Sequence, residues 1–141
     1  MAMIELEERC NTIEACYEFT LSYAAQGLPT DEGSQSGNQL RDHLARALEA
    51  MRGLEASCEA KIKQEPPELA GKYRAFFAVL ARDSESSIAA IDLVLAQKGI
   101  SSQLIDNLNA SMHLRALLTD LFLVTEILEL RQTQANPVAS H

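Results

Sequence analysis

Seven residues in the second half of the chain have the types and spacings that could do chemistry. Asp106, Asn109, His113 and Asp120 recur at steps of three, four and seven, so on a helix they share a face. Arg115 lies beside them, and Ser84 and Ser87 interrupt an otherwise apolar stripe upstream. If the segments carrying them run antiparallel from the tight joint at Lys98-Gly99-Ile100, Ser87 falls near His113 and Ser84 near Arg115 or Ala116. His113 and Arg115 could then receive a small anionic or polar ligand, flanked by Asp106, Asn109 and Asp120. Helical bundles build sites between facing helices in this way. The same residues also have an ordinary reading. Serines in helices bond their own backbone, and charged residues at these spacings line a solvated face. A Ser87–His113–Asp120 hydrolytic set can be written down, but no nucleophile elbow or oxyanion hole accompanies it. No catalytic residue is assigned.

Metal chemistry finds little support. Glu7, Glu14 and Glu18 line up on the first segment, but di-iron bundles need Glu-x-x-His pairs, and no glutamate precedes His43, His113 or His141 by three. CxxC and CxxCH spacings are absent among the cysteines at 10, 16 and 58. Cys10 and Cys58 fall on facing core stripes as small apolar residues. Cys16 lies off the stripe, at the surface or at an interface. The polar loop TDEGSQSGN from Thr30 to Asn38 has glycines beside a helix start, but GxxxxGK[ST] is missing and Asp31 and Glu32 would repel phosphate. Neither a metal nor a cofactor is expected, and the loop reads as a flexible connector.

The background around these residues narrows the function classes. The formal charge of −8 disfavours nucleic acid and anionic membrane surfaces as partners. The segment MAMIELEERC has no basic region followed by an apolar run, and no stretch is long enough to cross a bilayer. With an odd number of cysteines, these features suit a cytoplasmic protein. Its 141 residues suffice for one domain with its own core, spanning 1–135, followed by a frayed tail at 136–141.

Glycine and proline then mark the elements. Breaks at Gly27-Leu28-Pro29, Glu65-Pro66-Pro67 and Lys98-Gly99-Ile100 leave four long segments without strand-like alternation. Helices are expected near 3–26, 38–64, 67–98 and 102–132. Short joints force antiparallel neighbours, so the expected fold is all-α, an antiparallel up-down-up-down four-helix bundle. The first helix is expected to bury Leu6, Cys10, Ile13, Tyr17, Leu21 and Ala24. The second buries Leu40, Leu44, Leu48, Met51, Leu54, Cys58 and Ile62, and the third Leu69, Tyr73, Phe76, Phe77, Leu80, Ile88, Ile91 and Leu95.

The fourth helix carries two apolar faces. Leu104, Leu108 and Met112, with Phe122, Leu123 and Leu130, form one. Leu114, Leu117, Leu121, Val124 and Leu128 form a second row that alternates steps of three and four, like a coiled-coil seam. One core stripe cannot satisfy both, so one face is expected to meet a second copy of the chain. Cys16, Phe19 and Tyr23 on the first helix are expected to extend that interface with Leu114, Leu117, Leu121, Val124 and Leu128. The expected function is a non-enzymatic helical-bundle interaction module (adaptor, chaperone-like or regulatory), homodimeric through its last helix, with another protein as the further candidate partner. The alternative is a small-ligand-binding or sensory bundle using the polar set between helices three and four.

Overall fold

The computed structural model describes residues 2–135. Met1 and the expected tail at 136–141 lie outside them. The chain is all-helical, with no strand among the described residues. Helix α1 is Ala2–Ala25, α2 is Gln35–Arg52 and α3 is Leu54–Ile62. A 3₁₀ turn at Pro67–Leu69 leads into α4, Ala70–Leu95. Helix α5 is Ser102–Ala110 and α6 is His113–Ala135. Two of the expected helices are therefore broken. The segment 38–64 divides at Gly53, and 102–132 divides at Ser111 and Met112.

Each break has a physical cause. At Gly53 the backbone carbonyls of Glu49 and Ala50 accept hydrogen bonds from the Arg9 guanidinium of α1, at 3.4 and 3.2 Å, and Arg9 Nε donates to Ser57 Oγ at 3.0 Å. A β-carbon on Gly53 would overlap that guanidinium, so glycine leaves the room that the arginine fills. At the second break Met112 adopts a left-handed conformation, φ 66°, after the Ser111 amide closes the helix by donating to the carbonyls of Asn107 and Leu108. This is the geometry that usually ends a helix on glycine, here imposed on a side chain that stays exposed.

The core is aliphatic. In α1 the buried positions are Leu6, Cys10, Ile13, Cys16, Thr20 and Tyr23. They advance by three or four residues, and choosing a step of three at Cys16 instead of four at Tyr17 rotates the buried face. Leu21, expected inside, is consequently 48% exposed. Helix α2 buries Leu40, Leu44, Leu48 and Met51, α3 buries Leu54, Cys58 and Ile62, and α4 buries Tyr73, Phe77, Leu80 and Ile91. Each such side chain contributes roughly 1.5–3 kcal/mol by leaving water. Helix α1 packs on α2, α3, α5 and α6, and α4 packs on α2, α3, α5 and α6. The backbones of α1 and α4 do not approach one another among the described residues, nor do those of α2 and α6.

Polar ties close both ends. The loop read as a flexible connector is anchored by Asp31, which is buried. Asp31 accepts from Arg41 Nε at 2.6 Å and from the Ile100 amide at 2.7 Å. Arg41 also donates to the carbonyls of Leu95, Gln97 and Lys98, where α4 ends. Tyr23 hydroxyl donates to the Ile100 carbonyl at 2.7 Å, and Ser102 bridges Tyr23 and Leu28. Ser34 caps α2 by accepting from the Gly37 amide. At the opposite end Glu65 accepts from Tyr73 at 3.0 Å and from Arg131 at 2.8 Å.

Candidate functional site

The polar residues expected to form a ligand site do not converge. Ser84 and Ser87 are buried on α4, but His113, Arg115 and Asp106 are exposed. Ser87 donates to the Asp83 carbonyl in its own helix, the ordinary behaviour of a helix serine. Ser84 faces α2 and α3, lining a cleft to which none of the other expected residues contributes. Asp106 borders a different hollow beside Gly27 and Ser101. Asn109 accepts from Thr20 at 3.2 Å through Oδ1, and its Nδ2 is buried without a partner.

Asp120 finds an unexpected neighbour. Asp83 on α4 faces its carboxyl group, whose Oδ2 is buried with no hydrogen-bond partner. Desolvation first, then Asp83, raises the Asp120 pKa to about 7. Pairing outward from the α4–α5 joint would set Asp120 about one turn away from Asp83. The extra residues spent at the Ser111–Met112 break supply that slip. Only the position of Asp83 beside the Ser84 and Ser87 gap in the apolar stripe hinted at it.

The cysteines are free and buried. Burial pushes Cys10 up to about 11, and Cys16 and Cys58 up to about 12, so these thiols stay protonated and poorly nucleophilic at neutral pH. No group of three or more His, Cys, Asp or Glu side chains with metal-binding proximity occurs among the described residues. No described helix is long and apolar enough to cross a membrane.

The expected interface row is inside the chain. Leu114, Leu117, Leu121, Val124 and Leu128 are all buried against the chain's own helices. Cys16 and Tyr23 are fully buried as well, and Phe19 stacks on His43 with ring centroids 4.4 Å apart. These positions are correctly apolar but are covered already, because α6 turns this row toward α1 and α4.

The opposite face of α6 is the uncovered one. Phe122 is 46% exposed, Leu123 50%, Ile127 39% and Leu130 53%. At 100° per residue, Leu123 and Leu130 lie nearly diametrically across the helix from Leu121 and Leu128. Thr119 and Ala116 continue the outward row toward the exposed Met112. Glu126 lies within it, and Arg115 and Glu129 border it. These side chains leave an apolar strip along α6 that no described helix covers.

No protein-family model matches the chain, and no curated protein or solved structure matches it.

Proposed function

We propose that this chain is a non-enzymatic, cytoplasmic helical-bundle interaction module that pairs with a second copy of itself through the outward face of α6. In this reading α1, the broken rod α2–α3, α4 and the broken rod α5–α6 form an antiparallel up-down-up-down bundle. The pairwise helix packing and the ties of Arg9 to Ala50, Ser84 to Met51 and Arg131 to Glu65 support it. Three free thiols are in keeping with a reducing compartment.

One observation carries the proposal: α6 presents large apolar side chains on both sides, and one side is in water. Its outward positions 116, 119, 123, 126 and 130 alternate steps of three and four, the seam of a two-stranded coil. In an antiparallel pairing about a two-fold axis, Leu123 of one copy meets Thr119 of the other, and Ala116 meets Glu126. That register sets Phe122 against its own counterpart near the axis and Arg115 opposite Glu129. The two charge pairs flank the seam with opposite signs, whereas a parallel pairing would set Arg115 against Arg115.

Sedimentation tests this directly. The wild-type chain is expected to be dimeric at about 100 μM, and Leu123→Glu with Leu130→Glu to be monomeric with unchanged helical content. Leu121→Glu should instead unfold the chain, because its side chain is fully buried. Arg115→Glu should weaken the dimer about two- to fivefold, and adding Glu129→Arg should restore it. A wild-type monomer at that concentration removes self-association, and a capture of another protein on the same face by the monomeric wild type would replace it.

A further inference from the structure

The break at Gly53 has a second side. Opposite Arg9, the α2–α3 junction and α4 part to leave a cleft of about 410 Å³. Its floor is Met51, Leu54, Cys58, Phe77 and Leu80, all buried, with Ala78 and Ala81 keeping the opening clear. This volume lies within the range of small-molecule sites. Ser84 is the polar group on its wall. It is 5% exposed, and its one hydrogen bond, to the Met51 carbonyl, is stretched to 3.5 Å. Its hydroxyl oxygen has no donor directed at it among the described residues.

Charge at the mouth selects the occupant. Arg74 is matched by Glu59 at 3.8 Å and Arg52 by Asp92 at 3.3 Å. Glu55 and Glu85, one on each side of the opening, have no ion-pair partner among the described residues. The two arginines are thus compensated and the two glutamates are not. We infer that the cleft between α3 and α4 binds a small lipophilic monocation, whose apolar body lies over Ala78, Ala81 and Ile88 and whose ammonium head meets Glu55 and Glu85. Helix α6 lines no part of it, so the site is independent of self-association.

The test uses the full chain with three probes of equal length, octylammonium, octanol and octanoate, each below its micellar concentration. Calorimetry should rank octylammonium tightest and octanoate weakest. Glu55→Gln with Glu85→Gln should weaken octylammonium about fivefold and leave octanol unchanged, as expected for two exposed carboxylates. Ala81→Leu should abolish binding of every probe. Ala78→Leu, at an exposed position on the rim, does the same without entering the core. Absence of octylammonium binding, octanoate binding as tight as octylammonium, or full binding by a folded Ala78→Leu chain would each overturn the assignment.

Discussion

Asp120 shows how one side chain can set the pH response of a fold. Burial, with Asp83 beside it, raises its pKa from 3.8 to about 7. The folded chain therefore keeps a proton that the unfolded chain releases between these values. The corresponding stability is fully present below the unfolded value and is lost as pH rises through about 7. Asp120→Asn removes the charge that burial and Asp83 disfavour. It should raise the melting temperature at pH 8, with the gain shrinking toward pH 4, in thermal melts across that range. Asp31 has the opposite sign. The Arg41 hydrogen bond holds its pKa below the ordinary 3.8, so its contribution is present at neutral pH and fades in acid.

At the scale of elements, the two interrupted helices differ in how they were stopped. The α5–α6 break rests on Met112 alone, in a left-handed conformation that costs an ordinary side chain about 1 kcal/mol. Met112→Gly should raise stability by roughly 0.5 kcal/mol after glycine's greater unfolded freedom is deducted, measured by urea unfolding. The periodicity of α2, α3 and α4 was legible because long apolar steps recur on one face. Neither break was. Gly53 lies within an unbroken stripe from Met51 to Leu54, and its interruption depends on an arginine far away in the chain. Ser111 and Met112 include no glycine or proline. The double-sided grease of α6 was legible too, but both rows are leucine-rich. Which row faces inward depends on neighbours that the α5–α6 slip repositions, and the same slip took His113 and Arg115 away from Ser84 and Ser87.

Across the whole molecule, the two ends are held by different chemistry. One end joins the α1–α2 loop to the α4–α5 joint through Asp31, Arg41 and Ile100, and the other joins α3, α4 and α6 through Glu65. The first depends on Gly37, where a β-carbon would overlap the Asp31 backbone. Gly37→Ala should cost about 2 kcal/mol or more, because the loop must shift and the Asp31 bonds lengthen with it. Denaturant unfolding should show this loss, and amide exchange should report it first at Ile100. Loop residues that looked polar and slack are thereby part of the framework.

The guanidinium of Arg9 stoppers a fault in the backbone ladder some forty residues downstream. Damage to the opening turns of the chain would accordingly surface elsewhere: the stranded carbonyls of Glu49 and Ala50 would hydrate, and the nine-residue α3 would fray before α1 itself lost shape.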